Sequence, residues 1–595
     1  MNPILNRRLF LGLTGAAVLG PQAVWASQPA VSAEDGALDT LVQQWLDQSI
    51  HLSPPYATAL GDHRYDSELG DLGPAGWYAR SMLARGVLER LQAIDTRRLS
   101  RDRQVDAALL LNSLRGDVWT HDGLQAWAWD PLLHNEYAGS ALFSLIAREF
   151  APLPERLRAA TRRMEGFPLL LAGTRDALQP ARVPAIHAQT VSRQNAGLSS
   201  LVDMIVDEAS ALEGDERTAL QAAGRTAKLG IQAHQDWIDQ VLVPGAQGDF
   251  RLGAELYDNK LAYALNSGLS RADIKSSAER EMARVRDEMY RISSQVLAGR
   301  DGAPATPETP SNEERQAAIS AAMEVVYADR PSRNGLVEAA ETMLANATEF
   351  VRANNLVTVP DEPVRIVLTP EFQRGVAVAY CDSPGPLDRD LPTFYKISPI
   401  PDSWSEEQAT SFLREYNTRS LEGVTVHEAM PGHYLQLAHA NRYPSVARAV
   451  LASGSFVEGW ACYAQDLMVD AGHLDNDPLY RLANLKFLLR VITNALLDIG
   501  VHVENMSRED AMRMMTEDAF QQESEAAGKW IRAQLSSAQL PTYFVGWAEH
   551  WNLRRETQAA AGRSFDMKAY HDQLLSFGSP PVRYAKALMT GGPIS

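Results

Sequence analysis

The sequence predicts a mainly α-helical fold carrying one small β-sheet, on three observations. Apolar residues recur at helical spacing through most of the chain, strand-like runs are confined to residues 364–397, and polar, proline-rich breaks separate the helical stretches. With 595 residues, 45% hydrophobic and 22% charged, the composition is that of a globular protein with room for one large or two medium domains.

The first element is not structural. Residues 1–26 read as an export signal: Arg7 and Arg8 form a twin-arginine pattern, a moderately hydrophobic run follows, and cleavage is expected after Val24-Trp25-Ala26. An ordinary export signal that happens to carry two arginines is the alternative. The twin-arginine route delivers folded proteins to the periplasm, which suits a protein that acquires a metal before export. No later stretch approaches ~18 uninterrupted apolar residues, so no stable membrane insertion is expected once the signal is removed.

Helices are expected over Leu38 to Ile50, Ser81 to Ile94 and Val105 to Leu114, each with its apolar residues on one face. Others are expected around Leu153 to Met164, Ala196 to Glu213, Glu216 to Val241 and Arg271 to Leu297, with breaks at His51 to Pro55 and Leu178 to Pro184. The segment Gly299 to Asn312 holds Pro304, Pro307 and Pro310 and few apolar residues. It marks either a boundary between an N-terminal helical lobe (27–300) and a catalytic helical lobe (301–595), or a long loop within one domain. Val364 to Leu368, Val376 to Tyr380 and Thr393 to Ile397 are short and β-branched or aromatic, with Ser383, Pro384 and Gly385 as turn formers, and predict the small sheet. Helix returns from Ser405 and continues to the end.

The formal net charge of −18 argues against a nucleic-acid partner, which needs a basic surface. Two cysteines, Cys381 and Cys462, cannot form a zinc cluster by themselves, and Cys462 on an apolar helical face reads as a buried free thiol. Metal chemistry must come from histidines and carboxylates.

These residues meet in LEGVTVHEAMPGHYLQLAHAN, Leu421 to Asn441. His427 and Glu428 form the HE pair of a zincin-type helix, in which the histidine binds zinc and the carboxylate handles a water. The usual second histidine lies four residues on, but residue 431 is proline and the next histidine is His433. Six residues advance a helix by ~600°, which leaves His433 roughly 120° off the face of His427. Pro431 removes a backbone donor and Gly432 tolerates unusual dihedrals, so a bulge or kink there is expected to swing His433 back. Glu458, the sole acid in the apolar run FVEGWACYA, is expected as the third ligand, because a carboxylate is costly to bury unless it is paired or metal-bound. Two histidines and a glutamate leave the fourth zinc position open, as catalytic sites require. An HE pair by itself arises by chance; HE, PGH and EGW in order within one short stretch point to a Zn2+ site. His439 reads as a flanking residue outside it.

At these positions the chain resembles the bacterial domain of unknown function 885 family, whose signature is similar to HEAxPGHHLQ followed by EGWAxY. The matches are His427, Glu428, Ala429, Pro431, Gly432, His433, Leu435 and Gln436, then Glu458, Gly459, Trp460, Ala461 and Tyr463. Tyr434 departs from the pattern, which often has a second histidine there. Pro54 to Asp71, Leu540 to Gly546, Leu553-Arg554 and Phe565 to Pro581 look like outer segments of the same family. The resemblance implies a helical gluzincin-like zinc metallopeptidase, with the small sheet near its active-site cleft.

The chemistry expected is hydrolysis of a peptide bond by a metal-activated water, with Glu428 moving the proton. Tyr543 is expected to stabilise the oxyanion, and Arg554 and His571 to hold the substrate. The strands offer an edge to which an extended peptide could add. Two alternatives stay open: a zinc hydrolase of a non-peptide amide or ester, and a non-catalytic periplasmic binding protein with a vestigial metal site.

Overall fold

Helices are built where the apolar spacing demands them, and the computed structural model describes residues 32–369 and 378–594. The export signal expected at residues 1–26 and the start of the strand expected from Val376 lie outside the described residues. In chain order the principal helices begin with α1 (Ala33–Leu52), α2 (Pro74–Gln92) and α3 (Arg101–Trp119). The short helix Pro54–Leu60 follows α1 directly, so the break expected at His51 to Pro55 shrinks to Ser53. Leu38, Trp45, Leu46, Val87, Leu91, Leu110 and Leu114 form the apolar cluster at the heart of this group.

Next come α4 (Pro131–Ile146), α5 (Leu153–Ala177), α6 (Ala185–Asp207) and α7 (Gly214–Trp237), packed around Leu142, Phe167, Leu171, Val202 and Leu220. Arg163, fully buried between them, donates to Ala141 O at 2.7 Å, Thr58 Oγ1 at 2.7 Å and Glu68 O at 2.9 Å. Those bonds satisfy a guanidinium that would otherwise be prohibitive to bury.

The helices α8 (Gly253–Leu265), α9 (Arg271–Leu297) and α10 (Asn312–Ala328) bring the chain past the proline-rich segment. Both α9 and α10 begin with capping boxes, Ser270 with Asp273 and Ser311 with Glu314, and the second fixes the end of that loop where α10 starts. One apolar core runs across it: Tyr257, Val285 and Met289 pack in the same cluster as Ile319, Met323, Leu489 and Phe544. The packing therefore crosses the lobe boundary expected at residue 300.

The helix α11 (Leu336–Ala353) leads into the sheet, made of β1 (Arg365–Leu368), β2 (Ala379–Asp382) and β3 (Phe394–Ile397) in the order β1-β3-β2. β1 pairs parallel to β3, with Ile366 opposite Tyr395, and β2 pairs antiparallel to it, with Cys381 opposite Tyr395. Arg148 of the N-terminal half donates to Asp382 O and Pro392 O at 2.7 Å each, tying the sheet to the other helices.

Further helices carry the motifs singled out in the sequence: α12 (Thr418–Glu428), α13 (His433–Ala440), α14 (Gly454–Asp470), α15 (Pro478–Val503), α16 (Glu523–Leu535), α17 (Pro541–Ala561) and α18 (Met567–Leu575). α14 and α17 cross backbone against backbone. A Cβ on Gly459 would sit 2.3 Å from Gly546 C, and one on Gly546 would sit 1.8 Å from Ser455 O, so both positions require glycine. Half-buried Asp466 fastens the same crossing by accepting from Trp547 Nε1 at 2.7 Å, Trp551 Nε1 at 3.0 Å and Asn484 Nδ2 at 2.6 Å. Among the described residues no helix is long and apolar enough to cross a membrane.

Candidate metal centre

The site begins with a helix that stops. α12 ends at Glu428, and the next four residues bridge to α13, which starts at His433. Within that bridge the Met430–Pro431 peptide is cis and Gly432 N donates to Val426 O at 2.9 Å. Gly432 lies so close to the end of α12 that an added Cβ would fall 1.9 Å from His427 O and 2.3 Å from Val426 O. The kink expected at Pro431–Gly432 is thus a full break between two helices. It resolves the 120° mismatch of a continuous helix, because His433 opens a new helix at a new angle. Trp460 Nε1 of α14 donates to Pro431 O at 2.8 Å and pins the break to the neighbouring helix.

Glu458 comes from that neighbour. Its Oε2 lies 3.4 Å from His433 Nε2 and 3.8 Å from His427 Nε2, and the two imidazole rings stand nearly perpendicular, 87° apart, with centroids 4.8 Å apart. One potential ligand atom from each of His427, His433 and Glu458 lies within 4.8 Å of the others. Ligand atoms held ~2.0–2.1 Å from a tetrahedral zinc are roughly 3.3 Å apart, so these separations are close to what such an ion needs. Burial works to raise the Glu458 pKa, but the two imidazoles outweigh it and hold the carboxyl well below the usual range.

Neighbouring groups orient the site. Gln465 Oε1 is 3.1 Å from His427 Nδ1, which assigns the ring proton to Nδ1 and leaves Nε2 as the free donor atom. The Phe487 ring stands against the same imidazole, centroids 5.6 Å apart. Gln465 and Phe487 were not anticipated from the sequence. The one available signal was spacing: Gln465 recurs seven residues after Glu458, two turns along the same face of α14.

Glu428 follows His427 directly, and its Oε2 accepts from the Cys381 backbone N–H of β2 at 2.9 Å. Burial pushes its pKa up; the nearby His427 and the Cys381 N–H draw it down, the charge of Glu458 adds to the rise, and the outcome is about 7. The small sheet thus lies beside the site, with β2 as an edge strand. Cys381 and Cys462 are both free thiols, and Cys462 is buried.

The other expected residues fall in different places. Tyr543, on α17 three residues before the Gly546 crossing, lies near enough to Glu458 to feel its charge. Burial first, and then that charge, push its phenol up to about 12. Arg554 lies about three turns further along α17, with Nη1 donating to Tyr463 Oη at 3.3 Å and its guanidinium 4.8 Å from the Trp551 ring. His571 is fully buried on α18. Its Nε2 is 2.7 Å from Tyr463 Oη and its Nδ1 2.7 Å from Leu356 O. Both ring nitrogens are engaged within the protein, so the substrate-holding role expected of His571 gives way to support of Tyr463. His439 pairs with Thr358 O at 2.7 Å, outside the cluster, as expected of a flanking residue.

A family model described as "Bacterial protein of unknown function (DUF885)" matches residues 54–589. Two solved structures share the fold. One, from Shewanella oneidensis and described as a presumed lipoprotein of unknown function, is 32% identical with a TM-score of 0.80, over 93% of this chain and 99% of that one. The other, from Colwellia psychrerythraea and described as a presumed lipoprotein, is 17% identical with a TM-score of 0.76, over 94% and 98% of the respective chains. No curated protein matches.

Proposed function

The chain belongs to the DUF885 family of bacterial proteins, and from that premise we propose that it is an exported, gluzincin-like zinc metallopeptidase acting on short or unfolded peptides. The observation that carries this reading is the meeting of His427, His433 and Glu458, from three separate helices, beside the carboxylate of Glu428. Two imidazoles and one carboxylate are a zinc donor set with the fourth position left for water. The orientation of His427 by Gln465 is the kind of outer support that metal-binding histidines have.

When bound, zinc supplies Lewis acidity to a carbonyl and to the attacking water. Glu428, steadied by the Cys381 N–H, takes the proton from that water and returns it to the leaving amine. Tyr543 stays protonated at neutral pH and donates to the oxygen that gains negative charge. The edge strand β2 offers its backbone to an extended substrate. Arg554, held at Tyr463 and Trp551, supports Tyr463 rather than the reacting bond. The twin-arginine pattern and the lipoprotein description of the Shewanella relative both support export.

The test is metal content of the purified protein combined with a peptide-library digest by wild type and Glu428→Gln. About one zinc per chain, with cleavage lost in the variant, supports the proposal. Zinc without cleavage of any peptide redirects it to a non-peptide amide or ester, and failure to take up zinc overturns it.

A further inference from the structure

The segment Pro54 to Asp71 takes no part in the metal centre; it packs against the connection between β2 and β3, residues 383–393. Leu387 N of that connection donates to Leu60 O at 2.9 Å, and the Leu387 side chain packs on the apolar cluster of α1 and α2. Backbone lies against backbone here. A Cβ on Gly385 would sit 2.4 Å from Ala59 O, and one on Gly61, where φ is +90°, would sit 2.6 Å from Asp388 N.

His63 closes this contact. Its Nε2 lies 3.0 Å from Asp388 Oδ2 and its Nδ1 3.0 Å from Asp66 Oδ2, while the Phe150 ring stacks on the imidazole with centroids 3.8 Å apart. Asp66 is fixed from behind: its Oδ1 accepts from Thr58 Oγ1 at 2.7 Å, which accepts from Arg163 Nη2 at 2.7 Å. Ionised carboxylates only accept, so each ring nitrogen must carry a hydrogen, and the imidazolium alone makes both bonds. A neutral ring turns a lone pair toward one carboxylate and loses that bond. The side chain is 27% exposed, so its proton exchanges with solvent. The charged groups around it are Asp62, Arg64 and Asp66 of its own turn, Asp388 of the connection, Arg163 of α5 behind Asp66, and Arg156 of α5, 5.9 Å from the Phe150 ring. Arg64 pairs with Asp62 and Asp47, and Arg389 beside Asp388 donates to Pro386 O and Tyr443 O, each at 3.4 Å. Burial works to lower the His63 pKa, but the bonds to Asp66 and Asp388 outweigh it and hold the value above the ordinary 6.5.

We propose that His63 is a pH-operated clasp: as the imidazolium it docks the β2–β3 connection onto the N-terminal helices, and on losing its proton it releases Asp388 and loosens that connection. The contribution of the clasp is fully present below the ordinary imidazole value and is lost as pH rises through the raised one. Arg148 and Lys396 still hold Asp382, so β2 itself stays in place and the loosening is that of the segment beside it. That segment borders the strand whose Cys381 N–H steadies Glu428. The clasp stands on the geometry at His63 and does not depend on the metallopeptidase reading.

The test follows hydrogen exchange of residues 383–391 in the full-length protein, corrected for the intrinsic base-catalysed rate, together with an NMR titration of the histidine rings. In wild type, protection of this segment should fall by at least ~10-fold between about pH 6 and pH 9, while the amides of α15 keep theirs. His63 should titrate above the ordinary imidazole value, its signal being identified by its loss in His63→Gln. In His63→Gln the fall in protection should disappear, because no group there titrates. Asp388→Asn makes the opposite demand: a neutral His63 can donate to Asp66 and accept from the new amide, so protection should persist to pH 9 and the His63 titration should move to lower pH. Protection that does not change with pH in wild type, the same fall in His63→Gln, or a His63 that titrates at or below the ordinary value overturns the clasp. The wild-type exchange curve decides the matter even where a variant fails to fold.

Discussion

Gln465 Oε1 accepts from His427 Nδ1 at 3.1 Å, and this bond decides which nitrogen of the imidazole faces Glu458. The pairing is close-fitted: Gln465 packs against Gly423, one turn before His427, where an added Cβ would lie 3.0 Å from Gln465 Nε2. Replacing Gln465 by Ala frees the ring to rotate and to exchange tautomers. Zinc affinity should fall by about 10- to 100-fold, the usual cost of losing such a partner, while Gln465→Glu, which keeps an acceptor, should retain most of it. Competition with a chromophoric chelator measures both. Equal affinity in wild type and Gln465→Ala would show that the ring is held by packing alone.

Gly432→Ala should be damaging out of proportion to one methyl group. The new Cβ meets two backbone oxygens, those of His427 and Val426, and backbone cannot swing aside as a side chain does. We expect a loss of roughly 2 kcal/mol or more together with loss of zinc binding, because the break that aims His433 must be rebuilt. Gly528→Ala is the internal comparison: it lies within α16 with nothing near its Cβ position. That substitution should stabilise by about 0.5–1 kcal/mol. Paired denaturation curves check the two opposite signs.

Tyr543→Phe tests the oxyanion role separately from metal binding. The ring is half-buried and packs against the core around Phe544 and Trp547, which phenylalanine preserves. If the hydroxyl donates to the developing oxyanion, kcat should fall by about 10²–10³ with zinc content unchanged and KM little altered. A kcat within a few-fold of wild type would remove Tyr543 from the mechanism and leave it as a packing residue beside the core.

The helical class, most helix positions and the small sheet could be read from apolar spacing, because those patterns record which face each element buries. β3 appears at Phe394–Ile397 within the expected Thr393 to Ile397, whereas β2, at Ala379–Asp382, runs past the end expected at Tyr380. Its pairing with β3 sets that register, and no local signal carries it. The His427, His433 and Glu458 cluster was legible because three costly residue types fell in one short, ordered stretch. The contacts of Gln465 with His427 and of Cys381 N–H with Glu428 were not, since both depend on how α14 and β2 pack against α12. The misplacement of His571 has the same origin: only the fold shows both its nitrogens engaged.

Glu549 gives a prediction about pH. It lies on α17, with Oε2 buried and without a hydrogen-bond partner, and burial pushes its pKa up to about 8 against the pull of Arg583. Between the ordinary carboxylate value of 4.5 and about 8, the folded protein keeps a proton that the unfolded chain has released. The folded state is therefore relatively favoured below that interval, and the advantage is lost as pH rises through about 8. Glu549→Gln removes the ionisation and keeps the shape of the side chain. The variant should match wild type near pH 5 and exceed it in stability by on the order of 1–3 kcal/mol at pH 9. Thermal denaturation of both proteins across that range reads the difference directly. Parallel curves from pH 5 to pH 9 would mean that Glu549 reaches solvent and ionises freely in the folded state.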